Sequence, residues 1–367
     1  MYIVIITSLI ALFLTYLDSC GRMRNGMKIG FILVTILGAI HYDYGNDYMP
    51  YLNLYNEVTS YQFSLANILN GLYYREPGWV LLCWLFKPIG GFYMMVAVLN
   101  IIQNYIVYKF IKSNVDSNWW WFAIFIYLFS TSFYLMSFSM MRQEFVMIVF
   151  LGLWKYIRER KWLIPTIVLL CCSFIHSSSI ILLPFVFWGF IPSNGVKPLG
   201  VVYVILLLLL WFFRDVLDSI FEFFTMTDDS LMDYVDTYED DANKVLKLGL
   251  GFIINMIPFV LSVLFILRKD KDSSNEMKKL VALSAISFMV APFAQIIQLA
   301  GRIGIYFGIF SIGSVPLIYS KVKNNIMRYG LTSLYLFIVL FDYIRFFRSE
   351  VWADKYTEFN TIFPQIF

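Results

Sequence analysis

The stretch "LGVVYVILLLLLWFF" (199–213) decides what kind of protein this is. Its fifteen residues carry no charge and show no alternation of apolar with polar positions. A chain crossing a bilayer must satisfy its own backbone hydrogen bonds, which leaves helices or closed barrels. Barrel strands alternate, and a continuous apolar run does not, so the stretch reads as a membrane helix. The whole chain agrees. Of 367 residues, 60% are hydrophobic and 19% aromatic, only 14% are charged, and the mean hydropathy is +0.70. Water-soluble domains are about 45–50% apolar and about 25% charged. The fold class expected is all-α, a polytopic integral membrane helical bundle forming a single domain over 1–367.

Charge placement orders the helices. Lys and Arg in short loops mark the cytoplasmic side. The basic segments are "GRMRNGMK" (21–28), "YKFIK" (108–112), "KYIRERK" (155–161), "RKDKDSSNEMKK" (268–279) and "KVKNNIMR" (321–328). From Asp215 to Asp241 there are ten acidic residues and no Lys or Arg, which places that loop outside. The N-terminal "MYIVIITSLIALFLTYL" has no basic leader and no small-residue cleavage site, and reads as a retained first helix. A second helix is expected over 29–42. Parity then makes 77–90 a re-entrant or interfacial helix, broken at Lys87–Pro88 and Gly90–Gly91. Full helices follow over 92–110, 119–138 and 143–157, with two short ones in 162–191 meeting near His176. The rest run over 199–213, 248–267, 279–298, 303–319 and 329–346. The sum is about twelve spans, both termini outside, with external loops at 43–76 and 214–247. The acidic loop reads either as an amphipathic lid or as a solvated loop. Cys20, Cys83, Cys171 and Cys172 have neither metal nor disulfide spacing.

Against this background "SFSMMRQEFVMIVF" (137–150) is out of character, because it sets an Arg, a Gln and a Glu together at an expected external turn. Four polar clusters converge on that face: Asp43/Asp47/Tyr48, Arg75/Glu76, Arg142/Gln143/Glu144, and His176 with Ser177–Ser179. A fifth, Gln295/Gln298/Arg302, is expected at the turn between 279–298 and 303–319. Ionisable residues inside a bundle are costly and mark working sites, although an Arg near a helix end can also simply snorkel. Guanidinium groups grip phosphate bidentately and stay charged, so Arg142 and Arg302 suit a lipid-linked diphosphate. His176 has the near-neutral imidazole of a general base, with a packing histidine as its plain alternative. Asp47 is the competing base, or else a loop cap. The tyrosines at 42, 44, 48, 51 and 55 offer a platform to a sugar or form an interfacial belt.

These residues also resemble a known family. "GNDYMPYLNLY" (45–55) is similar to the G-x-D-Y-x-x-Y signature of the EpsG family of polysaccharide polymerases, relatives of the O-antigen polymerases. "EPGWVLLCWLF" (76–86) resembles its Glu-Pro-Gly element and "MMRQEFVMIVFLGLWKYIRERKW" (140–162) its Arg-Gln helix. "CCSFIHSSSIILLPF" (171–185) resembles its histidine-serine hairpin, and "GRIGIYFGIFSIGSVPLI" (301–318) its late arginine helix. One departure is that the family often carries an arginine shortly before G-x-D-Y, where this chain reads "AIHYDYG" with His41.

The resemblance implies a glycosyltransferase of the bacterial inner membrane that polymerises undecaprenyl-diphosphate-linked oligosaccharides on the periplasmic or exterior face. Donor and acceptor are both such lipids. Membrane lipid and a chain-length regulator are the further partners, with no nucleic acid, cofactor or metal. His176 or Asp47 would take the acceptor proton, and Arg142 and Arg302 would hold the leaving diphosphate. Tyr48, Tyr51, Arg75, Glu76, Gln143, Ser177 and Gln298 would contact substrate. Rival readings are a lipid-linked polysaccharide ligase or another multi-span glycosyltransferase, a glycolipid transporter or flippase, and an acyltransferase. No internal repeat supports the transporter.

Overall fold

A computed structural model describes residues 1–212, 250–268, 274–290 and 298–366 of the chain. The chain divides into two compact units, Met1–Phe190 with Ile309–Phe367, and Ile191–Gly308. The first contains the helices α1 (Tyr2–Ser19), α2 (Gly26–Ile40), α3 (Tyr48–Ser60), α4 (Leu65–Leu69), α5 (Pro77–Phe86), α6 (Gly91–Asn114), α7 (Trp120–Phe129), α8 (Met141–Arg158) and α9 (Leu163–Ser173). A 3₁₀ run over Ser177–Phe190, the later helices Ser311–Ser320, Asn325–Phe346 and Glu350–Thr357, and the single turn Phe363–Ile366 follow. Three helices are long and apolar enough to cross a membrane: α1, α6 and Asn325–Phe346. Shorter apolar helices include α2, α5 and α9. The protein is a helical membrane protein.

The second unit holds the helices Leu199–Phe212, Leu250–Leu267, Asn275–Val290 and Gln298–Gly308. Its core gathers Tyr203, Phe259, Ala285 and Met289. The Tyr203 and Phe259 rings lie 4.3 Å apart, and the Tyr203 hydroxyl donates to Met256 Sδ at 3.0 Å.

α5 is only ten residues long, about 15 Å at about 1.5 Å per residue, half of a hydrocarbon core. Its buried face, Trp79, Val80 and Cys83, joins Tyr48, Tyr51 and Tyr55 of α3 and Phe92 and Met95 of α6 in one core cluster. Within the bundle, Asn104 Nδ2 donates to Asn100 Oδ1 at 2.7 Å and the Tyr127 hydroxyl donates to Asn104 Oδ1 at 3.0 Å. The first bond lies within α6 and orients Asn104; the second ties α7 to α6, as polar contacts between membrane helices do.

Several elements depart from the sequence reading. The helix expected over 119–138 stops at Phe129, and residues 130–140 form turns and a 3₁₀ turn, Met136–Phe138. Serine and threonine hydroxyls compete for backbone groups there: Ser137 Oγ donates to the Tyr134 carbonyl at 2.7 Å. This irregular stretch is tolerated because most of it is buried in protein. The single helix expected over 303–319 is two, Gln298–Gly308 and Ser311–Ser320. Gln298 and Arg302 therefore lie on a helix rather than in a tight turn, because one glycine, Gly301, does not halt it. The segment 43–76 contains α3 and α4 and is not a simple loop. Gln295 and the acidic stretch 214–247 lie outside the described residues.

At one end of the first unit the chain termini meet. The Met1 ammonium donates to the Thr357 carbonyl at 2.5 Å. Strand β1 (His41–Tyr42) pairs antiparallel with β2 (Asn360–Thr361), His41 opposite Thr361. The segment 43–47 between β1 and α3 is strapped by the C-terminal helix Glu350–Thr357. Lys355 Nζ reaches Asp43 at 3.0 Å, Gly45 N donates to the Lys355 carbonyl at 3.2 Å, and Asn46 Nδ2 donates to the Val351 carbonyl at 2.9 Å. Gly45 sits at φ 108°, and a Cβ there would lie 2.5 Å from the Phe138 carbonyl oxygen, so glycine is required.

Candidate functional site

The Glu-Pro-Gly element is a docking device for one carboxylate. Pro77 opens α5, where its missing N–H costs nothing. Gly78 N donates to the carbonyl of Phe174, the residue that ends α9, at 2.8 Å. A Cβ on Gly78 would stand 2.8 Å from that same carbonyl, so only glycine allows the two helix ends to touch. The contact sets Glu76, just before α5, beside His176 and Ser177, just after α9.

Glu76 is 3% exposed and is the hub of the site. Its Oε1 accepts from the Ser177 backbone N–H at 3.0 Å and lies 3.2 Å from His176 Nδ1, with the Ser177 hydroxyl at 3.5 Å. Its Oε2 pairs with Arg142 Nη1. Arg142 is held in turn by two tyrosines: Nε donates to the Tyr51 hydroxyl at 3.2 Å and Nη1 to the Tyr74 hydroxyl at 2.7 Å. The guanidinium carbon lies 5.1 Å and 5.2 Å from the two ring centroids, within cation–π range. Arg142 thus leaves its Nη2 amino group uncommitted among the described residues. Burial pushes the Glu76 carboxyl up, but the His176 hydrogen bond, the Arg142 charge and the Ser177 N–H outweigh it and hold it below its ordinary 4.5. If Nδ1 donates to Glu76, a neutral His176 carries its lone pair on Nε2, a buried atom with no hydrogen-bond partner among the described residues.

Asp47 stands one step away. Its Oδ2 accepts from Ser139 Oγ at 3.1 Å, and Ser139 Oγ in turn accepts from Asp47 N at 3.2 Å. Asp47 ends the loop before α3, and Tyr51, one turn later on α3, connects that loop to Arg142. The structure thus brings together Tyr51, Glu76, Arg142, His176 and Ser177, with Asp47 adjoining. It does not bring Tyr48 in. That side chain is fully buried, its ring against His41, Tyr42 and Phe92. Gln143 is buried and Arg75 exposed next to the hub. Gln298 and Arg302 belong to the second unit, and their side chains lie outside the described residues. Tyr74 and Ser139 were not singled out in the sequence. The "YYREPG" run (73–78) was the available signal for Tyr74, and nothing marked Ser139. Among the described residues no three His, Cys, Asp or Glu side chains group as metal ligands.

A bundle of apolar helices with a carboxylate, a guanidinium and an imidazole locked together at one end defines an integral membrane protein with a buried polar cluster. The family model that matches it spans residues 26–361, and the chain belongs to the EpsG family. No curated protein and no solved structure matches the chain. Family membership marks a membrane protein of the polysaccharide-polymerase kind, with glycosyltransferase-like activity.

Proposed function

We propose that the protein joins undecaprenyl-diphosphate-linked oligosaccharide repeat units into O-antigen or a related surface polysaccharide. It does so on the external face of the bacterial inner membrane, within a bundle of about twelve spans. The observation that carries this reading is that Glu76 holds Arg142 and His176 at once, setting a base beside an anion-binding group. The acceptor hydroxyl oxygen bonds to the donor's anomeric carbon while the bond from that carbon to the diphosphate oxygen breaks. The hydroxyl proton goes to Nε2 of His176, and the bonding electron pair leaves on the diphosphate. Glu76 keeps the imidazole in the required tautomer and stabilises the imidazolium, as a carboxylate does in a hydrolase triad. Arg142, with its open Nη2, meets the charge that develops on the leaving group. His176 is preferred to Asp47 as base because Asp47 is engaged by Ser139, whereas Nε2 of His176 is unengaged. Tyr51, Tyr74, Arg75, Gln143 and Ser177 line the reaction zone, and a chain-length regulator is the proposed protein partner.

The test compares surface polysaccharide from a deletion strain with that from strains carrying wild type or Arg142→Lys. The deletion should accumulate single repeat units, and wild type should restore a length ladder. Arg142→Lys, at normal expression, should not, since an ammonium lacks the planar fork. Full-length polymer left off its final anchor in the deletion would identify a ligase instead, and an unchanged profile would refute the assignment.

A further inference from the structure

Between Glu57 and Arg75 the chain carries no charged residue: "VTSYQFSLANILNGLYY" (58–74). This segment joins α3 to α5 and contains only the short helix α4, so it does not cross the membrane. Ser64 caps α4 by accepting from Asn67 N at 3.4 Å, and Ile68, fully buried, seats it on the core cluster of Trp79 and Cys83. The opposite side looks outward. Leu65 and Leu69, one helical turn apart, lie on it, and together with the flanking Tyr61, Phe63 and Leu72 they are between 42% and 69% exposed. A water-facing connection has no reason to present five large apolar side chains and no charge.

We propose that residues 61–72 are a foot resting in the boundary between lipid headgroups and acyl chains. This goes beyond the polymerase reading and does not depend on it. Two observations select lipid over a protein partner. The segment meets α5 through Phe63, whose ring lies 5.2 Å from that of Trp84, and beside Trp84 in the chain Leu85 and Ile89 are exposed in turn. At their junction Lys87 lays its ammonium 4.4 Å from the Trp84 ring centroid and donates to the Thr59 carbonyl at 2.7 Å. An apolar stem with its amine returned to the polar end of α3 is how a lysine sits at a membrane interface, and Trp84, Tyr61 and Tyr73 supply the interfacial aromatics there. The Tyr61 and Tyr73 rings stack at 4.9 Å. Only uncharged polar groups, Gln62, Ser64, Asn67 and Asn70, accompany the apolar ones.

The measurement is collision accessibility of a nitroxide at Leu69→Cys, and separately at Leu65→Cys, in phosphatidylethanolamine–phosphatidylglycerol nanodiscs. The background carries Cys20→Ser and Cys171→Ser, which removes the two exposed thiols. Asp354→Cys serves as the water reference and Ile101→Cys as the lipid reference. The label on the foot should show an oxygen-to-nickel-chelate collision ratio several-fold above that at 354 and approaching that at 101. A ratio equal to that at 354 overturns the proposal in favour of a solvated loop. Low collision with both reagents overturns it in favour of a protein cover. Since the readout needs no activity, a failed polymerase assay leaves it intact, and a water-like label leaves the polymerase reading intact.

Discussion

Glu76 carries more of the site than any other residue, and its consequences can be worked out with sign and size. It is buried and paired, and removing one partner of such a pair costs about 3–5 kcal/mol because the other charge is stranded. Glu76→Gln keeps the shape and strands Arg142, so a large fall in thermal midpoint in detergent is expected together with loss of polymer. The pH dependence follows from the depressed carboxyl. A group whose folded value lies below its unfolded one stabilises the fold fully above the unfolded value, near 4.5, and loses that contribution as pH falls through the folded value. A titration from about pH 7 to about pH 3 should show an acid limb that is shallower in Glu76→Gln than in wild type. Identical limbs would mean that Glu76 is not ionised in the folded protein. In the sequence, Arg142, His176 and Glu76 each stood out as polar residues in apolar surroundings. What could not be read is that one carboxylate holds partners 66 and 100 positions away, because spacing along a chain does not report contact across helices. Tyr48 shows the converse. It belongs to the most recognisable motif, yet its side chain serves the aromatic core.

At the scale of elements, apolar runs announced the long helices, while the breaks in them were hidden. The Ser-rich stretch after Phe129 and the strap formed by 350–361 both depend on tertiary contacts that a hydropathy reading does not contain. The strap lends itself to a comparison of magnitudes. The Lys355–Asp43 pair is partly exposed on both sides and is worth at most about 1 kcal/mol. Tyr356 is fully buried against Tyr44, Phe346 and Trp352, and its hydroxyl donates to the Leu135 carbonyl at 3.0 Å. Truncating a buried aromatic costs about 3–5 kcal/mol. Lys355→Met should therefore barely move the thermal midpoint, Tyr356→Phe should lower it modestly, and Tyr356→Ala should lower it most. Because the strap holds 43–47, Tyr356→Ala should also weaken the site at Asp47. If Lys355→Met proves as damaging as Tyr356→Ala, the strap is held by charge and this ranking is wrong.

Across the molecule, the helix directions of the first unit sort its charges. Met1, the β1–β2 pair, Asp47 and the Glu76 hub share one end, since Met1 bonds Thr357, Asp47 bonds Ser139, and Tyr51 bonds Arg142. α1 runs from Met1 away to Ser19 before "GRMRNGMK", and α8 runs from Arg142 away to "KYIRERK". Phe346, against Tyr356, closes the helix whose first turn lies within "KVKNNIMR". Three basic segments thus lie at helix ends remote from the site, a pattern that a net charge of +3 conceals. Because basic loops stay in the cytoplasm, the site end is predicted to face outward. Cys20, exposed at the far end of α1, then faces the cytoplasm. In intact spheroplasts of a strain carrying Cys171→Ser, a membrane-impermeant maleimide should leave Cys20 unlabelled until the membrane is permeabilised. A cysteine placed at exposed Asp354, on the strap, should react at once in a background that also lacks Cys20. The reverse pattern would turn the bundle over and put the Glu76 hub in the cytoplasm. Its substrate would then have to be a donor that has not crossed the membrane, and the polymerase assignment would fall with the orientation.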